Sequence, residues 1–406
     1  MWFKKLVYMK TETVIGLFGF GVVGEGLSEL LRKNKITKTQ IKKICVNDRT
    51  KERSVDNGLI YVDPDELILD ETINLIVELT NSHEAAYDIV KRSLINGKSV
   101  VSANKKMIAY HLDEFVHIQE QTGASLLYDA SACGSIPVIR NLEEYYDNDL
   151  LISISGIFNG SSNYILSEIF NKDQGYSGAL TRAQELGFAE SNPVSDVDGF
   201  DALYKLVIIG MHGFGTYVSP DEVFTFGISS ISQYDINYAK ERGLKIKLIA
   251  HVAKLDHEKF TMFVMPKLVQ REEYVYNVEN ENNGVVIEGE CYEKQFMFGK
   301  GAGAFPTAAS ILSDITARSY DYKYEYKKRN YFKSVEYSKD CEVEIYLRYK
   351  HVKDLAIFDF ETISEKYTSR HFNYVVGRIR LKKLMEAQSQ TDEADIFLAF
   401  TGKLAL

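Results

Sequence analysis

The sequence predicts an α/β fold: a parallel sheet in the first third of the chain, an open α+β sheet behind it, and a small α+β module at the end. Three observations carry that expectation. Short apolar runs alternate with helical patterns up to about residue 130, the rhythm of βαβ units and a right-handed parallel sheet. A glycine loop, Gly19-Phe20-Gly21-Val22-Val23-Gly24, follows the first of those runs. Beyond residue 240, strand-like segments follow one another with short connections, as in an antiparallel sheet.

At 406 residues the chain is long enough for two or three domains with a full core. Lys and Arg number 48 against 57 Asp and Glu, a net charge of −9. That balance argues against an extended nucleic-acid or anionic-membrane surface. The four cysteines, Cys45, Cys133, Cys291 and Cys341, lie far apart with no C-x-x-C spacing. Neither a disulfide framework nor a zinc site is expected, and a reducing compartment is the default. No apolar run reaches the length of a membrane span, and Met1–Met9 is too short and interrupted for a signal peptide. A cytoplasmic protein without nucleic-acid or membrane partners is expected.

Thr13–Phe18 is mostly apolar and reads as a buried parallel strand. The glycine loop then opens a helix through Leu27, Leu30 and Leu31. In that setting Gly19 permits the tight turn, Gly21 lets a pyrophosphate approach the backbone, and Gly24 lets helix and strand pack closely. Such a loop marks a Rossmann dinucleotide-binding domain, expected over 1-136. A second strand, Ile41–Val46, ends at Asn47-Asp48-Arg49, where this fold reads the adenine ribose. Asp48 suits a 2′-hydroxyl, whereas Arg49 and Lys51 suit a 2′-phosphate, so NAD and NADP both stay open. Further strands are expected at Ile73–Leu79, Ser99–Ser102 and Ser125–Asp129, with helices over Glu84–Ile95 and Leu112–Gln121. Ligands of such sheets bind beyond the strands' carboxyl ends, and Thr80 and Lys105 fall there.

Leu150–Ser155 reads as a half-exposed strand running into Gly156–Leu166, a glycine-rich turn that feeds a helix N-terminus. Such a turn presents N–H and hydroxyl donors to a carboxylate. Ala183–Lys205 follows, with five acids (Glu185, Glu190, Asp196, Asp198, Asp201) ahead of Lys205. Asp201 and Lys205 share a helix face, and the apolar run Leu206–Met211 predicts that the lysine enters a buried helix. Burial lowers an ammonium's pKa and a neighbouring carboxylate raises it, an opposed tuning that suits proton transfer. The plain alternative is a surface salt bridge worth about 0.3–0.5 kcal/mol.

Strands are expected next at Lys245–Ala253, Phe260–Met265, Gly284–Gly289 and Glu293–Phe298. Gly299–Ala308 is a second glycine-rich turn, opening a helix through Ile315. Together these segments predict an α+β open-sheet domain over 137-318, with 301-318 packing back onto the nucleotide domain. A charged, tyrosine-rich linker covers Ser319–Lys333. The final module, 335-406, is expected to hold strands at Cys341–Tyr349, Phe372–Leu381 and Ala394–Phe400 and a helix at Asp354–Lys366.

With these segments in order, the chain resembles the homoserine dehydrogenases from about Val14 to Ile315. Ala183, Gly187, Glu190, Pro193, Asp196, Gly199, Asp201 and Lys205 fall at the spacings of that family's fingerprint. Ser102–Lys105, Gly160–Tyr164, Gly301–Gly303 and Pro306–Ala308 match its other blocks in the same order. The resemblance implies reversible, NAD(P)-dependent reduction of L-aspartate 4-semialdehyde to L-homoserine, in threonine and methionine biosynthesis. It implies Lys205 as proton donor to the carbonyl oxygen, with Lys105 assisting near nicotinamide and substrate. Implied cofactor contacts are Gly19, Phe20, Gly21, Val22, Val23, Gly24, Arg49, Thr80, Lys105 and Gly303. Implied substrate contacts are Gly160, Ser161, Phe188, Glu190, Asp196 and Asp201, with Glu190 and Asp201 on the amino group. A monovalent cation, Na⁺ or K⁺, is implied at Asp129, Ala132, Gly134 and Ile136. A homodimer or higher homo-oligomer, paired through the second domain, is implied as well.

The chain departs from the family at several of these places. Asp129 and Ala132 stand where glutamate and valine are usual, Phe188 where tyrosine is, and Lys300 where proline is. The tail resembles an ACT module in layout only: His351-Val352-Lys353-Asp354 replaces the effector turn D-R-P-G, so a structural role is expected. Two other readings compete with the dehydrogenase. One is a catalytically weak paralogue that senses a nucleotide or an amino acid, motivated by those departures. The other makes Cys133 the nucleophile of an acyl-forming semialdehyde dehydrogenase, against which stands the lack of a histidine nearby in sequence.

Overall fold

The computed structural model describes residues 12–33, 38–388 and 396–405. Met1–Met9, and Ala394 and Asp395 of the last expected strand, lie outside them. The chain divides into two compact units, Met1–Pro137 with Ala302–Glu325 and Val138–Gly301 with Tyr326–Leu406. Among the described residues no helix is long and apolar enough to cross a membrane.

In the first unit the strands are β1 (Thr13–Phe18), β2 (Thr39–Cys45), β3 (Ile60–Tyr61), β4 (Leu75–Glu78), β5 (Ser99–Ser102) and β6 (Leu126–Leu127). They form a parallel sheet in the order β3-β2-β1-β4-β5-β6, the doubly wound order of a dinucleotide-binding domain. β4 and β5 are buried throughout and β1 nearly so, as expected of strands covered on both faces. Helices His83–Ile95 and Lys105–Thr122 flank them. The second begins at Lys105 rather than Leu112 because Asn104 caps it, its side-chain oxygen accepting from Met107 N at 3.1 Å. The helix Ala304–Arg318 lies so close to Val22–Lys33 that a Cβ at Gly26 would stand 3.2 Å from the Ala304 carbonyl oxygen.

The second unit is built on a mixed sheet. Its strands are β7 (Leu151–Ile157), β8 (Phe224–Thr225), β9 (Lys245–Lys254), β10 (Lys259–Val269), β11 (Asn282–Gly289) and β12 (Glu293–Lys300). They continue with β13 (Glu336–Tyr337), β14 (Glu342–Tyr349), β15 (Thr362–Thr368), β16 (Asn373–Arg380) and β17 (Phe397–Ala405). The main path runs β12-β11-β7-β9-β10-β17-β14-β16-β15, with β8 and β13 also on β10. Helix Gly160–Lys172 packs on β9 and β11, and helix Phe200–Phe214 on β9 and β10. The second of these helices is buried along almost its whole length and stops at Gly215, whose φ of 78° no side chain would favour.

The tail differs from expectation in two ways. Its sheet is continuous with the second unit: β17 meets β10 at Lys267 and Phe400. One core holds Phe224, Phe263 and Met265 together with Val343, Ile345, Leu347, Val375 and Leu398. Arg348 of β14 also pairs at 2.9 Å with Asp235 on helix Gln233–Glu241, both side chains almost fully buried. Secondly, Asp354–Lys366 is not a helix. Only Val352–Leu355 turns helically, and Thr362–Thr368 becomes β15, hairpinned on β16. Its β-branched and aromatic residues, Thr362, Ile363, Tyr367 and Thr368, lose less freedom and pack better in a strand pair than on a helix. Helix Leu381–Gln388 has no counterpart among the expected elements.

Candidate functional site

The first unit contributes a glycine loop of two crowded positions and one open one. Gly19 has φ 87°, and a Cβ there would stand 2.6 Å from the Leu79 carbonyl oxygen, where the loops after β1 and β4 meet. A Cβ at Gly24 would stand 2.8 Å from the Gly19 oxygen. At Gly21 no atom lies within 4 Å of the missing Cβ, so the backbone is open to a ligand. Helix Val22–Lys33 starts directly after it, bringing its unpaired first N–H groups to the opening, as a diphosphate requires. Phe20 is buried, Val22 is exposed and Val23 is half-buried. Gly303, with φ 124°, precedes helix Ala304–Arg318.

At the end of β2 the Asp48 carboxylate accepts from Thr50 Oγ1 at 2.6 Å and Thr50 N at 2.8 Å, which holds its pKa below the ordinary value. Arg49 and Lys51 beside it are exposed. At the end of β4 a buried carboxylate comes into view that no sequence signal marked. Glu78 accepts from Thr80 N, Thr80 Oγ1 and Ser102 Oγ, each at 2.6 Å. Burial pushes its pKa up while those donors pull it down. Asn104 Nδ2 donates to the Thr80 oxygen at 3.2 Å, so the loops carrying Thr80 and Lys105 are tied together. Lys105 itself is half-buried at the first position of its helix.

Asp129 is buried at the start of a short turn, and its N–H donates to Asp314 Oδ2 at 3.0 Å. Cys133 and Gly134 follow with φ of 53° and 61°. Among the described residues no group of three or more His, Cys, Asp or Glu side chains is placed to hold a metal. An ion at Asp129, Ala132, Gly134 and Ile136 would therefore rest on one carboxylate and main-chain oxygens, the all-oxygen set that hard cations take. The Cys133 side chain is fully buried, which withholds its thiol from a substrate.

In the second unit the structure brings Asp196, Asp201 and Lys205 together. Lys205 Nζ donates to Asp201 Oδ2 and to the Phe158 carbonyl oxygen, both at 2.7 Å. Side-chain exposure is 8% for each partner of the pair, so the surface salt bridge is excluded. Asn159 organises the acids: its Nδ2 donates to Asp196 Oδ1 at 2.7 Å and to Asp201 Oδ2 at 3.0 Å. Its own Oδ1 accepts from Ser162 N at 2.7 Å and so caps helix Gly160–Lys172. Ser161 Oγ donates to the Phe188 carbonyl, and the Phe188 ring packs on Tyr164 with centroids 4.8 Å apart. A Cβ at Gly160 would stand 2.5 Å from the Glu281 oxygen. Glu190 stays outside this network, exposed and with no partner for its carboxylate among the described residues.

Behind the helix start lies a second buried lysine, absent from the sequence expectations. Lys247 Nζ donates to Val278 O at 2.7 Å and Asn163 Oδ1 at 3.0 Å, and burial lowers its pKa to about 8 against the pull of Glu279.

A doubly wound nucleotide unit joined to a mixed-sheet unit with a buried lysine–carboxylate pair defines a class: the two-unit oxidoreductases that use a nicotinamide nucleotide. Comparison with known proteins is more specific. A family model described as the NAD binding domain of homoserine dehydrogenase matches residues 19–129, and the homoserine dehydrogenase model matches residues 137–316. The homoserine dehydrogenase of Bacillus subtilis is 31% identical over 402 residues, covering 94% of this chain and 92% of that protein. That of Helicobacter pylori is 36% identical over 314 residues, 76% of this chain and 74% of its own. The crystal structure of a homoserine dehydrogenase from Thiobacillus denitrificans superposes with a TM-score of 0.82 at 27% identity over 97% of both chains. The chain belongs to the homoserine dehydrogenase family, oxidoreductases acting on a CH–OH group.

Proposed function

We propose that this chain interconverts L-aspartate 4-semialdehyde and L-homoserine with Lys205 as the group that gives a proton to the substrate oxygen and takes it back. The carrying observation is the ammonium itself. Two of its three N–H donors meet Asp201 and Phe158 at 2.7 Å, and the third has no partner among the described residues. Negative charge grows on the carbonyl oxygen as the aldehyde carbon is reduced, and a fixed donor in a buried setting stabilises it. The nicotinamide supplies the hydride when bound.

Asp201 holds the ammonium, Asn159 holds Asp201 and Asp196, and Glu190 with Asp201 takes the substrate's amino group. Gly160 and Ser161, at a helix N-terminus, take the carboxylate. Phe188 offers a ring without a hydroxyl. Gly19 to Gly24, Thr80 and Gly303 hold the nucleotide, with Lys105 assisting at the nicotinamide. Because Arg49 and Lys51 stand exposed at the end of β2, where two cations suit a 2′-phosphate, NADP is the preferred form. Asp129 and the carbonyls of Ala132, Gly134 and Ile136 hold Na⁺ or K⁺, which would stiffen that loop. The working state is a homodimer or higher homo-oligomer in the cytoplasm, serving threonine and methionine biosynthesis.

The purified chain is expected to reduce NADP, and NAD more slowly, with homoserine at alkaline pH. Lys205→Ala should lower kcat by about 10²–10⁴-fold while NADPH binding, followed by its fluorescence, is kept. Nucleotide binding without any homoserine turnover by the wild type would instead point to a sensor.

A further inference from the structure

We infer that Asn283 is a positioning residue for the Lys205 ammonium, acting through the Phe158 carbonyl, and that this contact is what demands glycine at position 301. The inference rests on the reading of Lys205 given above. Asn283 lies on β11 with no exposed surface. Its Nδ2 donates at 3.1 Å to the Phe158 oxygen, the same atom that accepts from Lys205 Nζ at 2.7 Å. A carbonyl oxygen has two lone pairs, so these two donors fill it and fix the direction from which the ammonium is held.

The rest of the Asn283 side chain points the same way. Its Oδ1 is buried without a hydrogen-bond partner, a state that costs stability. An apolar residue of similar size would avoid that cost, so what the asparagine contributes is its N–H donor. Gly301 supplies the second observation. A Cβ there would stand 2.3 Å from Asn283 Oδ1 and 2.4 Å from Cγ and Nδ2. Gly301 is not among the residues with positive φ, so its own backbone would accept alanine. The asparagine amide would not. A side chain at 301 drives that amide off the Phe158 oxygen, and the lysine loses one of its two fixed acceptors' orientations. The groups that grip the substrate are untouched, so the effect falls on kcat rather than on KM.

Steady-state homoserine oxidation and thermal unfolding of Asn283→Leu, Asn283→Ala, Gly301→Ala and the Asn283→Ala/Gly301→Ala pair test this. Each single variant is expected to lose on the order of 10–100-fold in kcat, with KM for homoserine and nucleotide within about twofold, since binding is not what the contact controls. The double variant is expected to be no slower than Asn283→Ala, because the truncated side chain makes room for the new methyl. Wild-type kcat in Asn283→Leu overturns the inference alone, as does a double variant slower than both singles. Failure of the variants to fold overturns it as well, by making the asparagine a packing residue. Absence of turnover in the wild type sinks the functional reading itself, and this inference with it.

Discussion

Lys205 and Lys247 are both buried lysines of one unit, yet their partners give them different work. Each donates two hydrogen bonds, but Lys205 keeps its third donor in reserve, whereas Lys247 turns toward Glu279 in an ion pair at 3.6 Å besides its bonds to Asn163 and the Val278 carbonyl. Burial lowers Lys247 from 10.5 in the unfolded reference to about 8. Between those values the unfolded chain carries a proton that the folded chain has released, so this residue's contribution to stability rises with pH. It is full above about 10.5 and lost as pH falls through about 8. Urea unfolding of wild type and Lys247→Met at pH 8 and pH 10 should show the wild type gaining on the variant by up to about 1.4 kcal/mol per pH unit. A pH-independent difference would contradict the assignment. Asp201 and Lys205 were legible as a shared helix face ahead of an apolar run, but that spacing alone fits a surface salt bridge equally well, and the family fingerprint around them tipped the reading. Phe158 was not legible, since it acts through a main-chain oxygen and any side chain brings one. Asn159 was not singled out in the glycine-rich turn, yet its oxygen caps the helix while its amide nitrogen holds two acids.

Within the glycine loop, the three glycines that share a motif have different physical reasons. Gly19→Ala places a methyl against the Leu79 oxygen at a φ of 87°, and is expected to cost about 1–3 kcal/mol as well as nucleotide affinity. Gly21→Ala meets nothing within 4 Å, so it should melt close to the wild type yet bind NADPH more weakly. Thermal melts paired with fluorescence titration separate the two. A Gly21→Ala protein with wild-type affinity would mean the opening is not where the diphosphate lies. Parallel strands β1, β4 and β5 were legible because strands covered on both faces are apolar at nearly every position, whereas β3, two residues long, left no such run. β15 was not legible either, since charged Glu365 and Lys366 among exposed positions hide the alternation, and only the pairing with β16 resolves it. Helix Leu381–Gln388 follows β16 with no residue between them, and without a breaker the boundary leaves no mark.

Taken whole, the molecule offers no seam at the tail. Strands β14 to β17 complete the core around Phe224, Phe263 and Met265, and Arg348 neutralises the buried Asp235. A chain ended at Lys333 would uncover that apolar face and leave a buried carboxylate unpaired, a loss of about 3–5 kcal/mol from the ion pair alone. It is expected to aggregate or bind a hydrophobic dye, as seen by size exclusion and fluorescence. A soluble, monodisperse truncation would show the tail to be a separable module. The interleaving of the two units also matters while the protein is being made. Helix Ala304–Arg318, which covers the Gly26 side of helix Val22–Lys33, leaves the ribosome only after residues 138–301. At about 5–20 residues per second the nascent nucleotide unit waits roughly ten to thirty seconds with that side bare. Arrested chains ending near residue 300 should therefore fail to retain on a nucleotide resin that captures chains ending near residue 350. Equal retention would mean the late helix is not needed to finish the unit. For this chain, the first domain encoded is not the first domain completed.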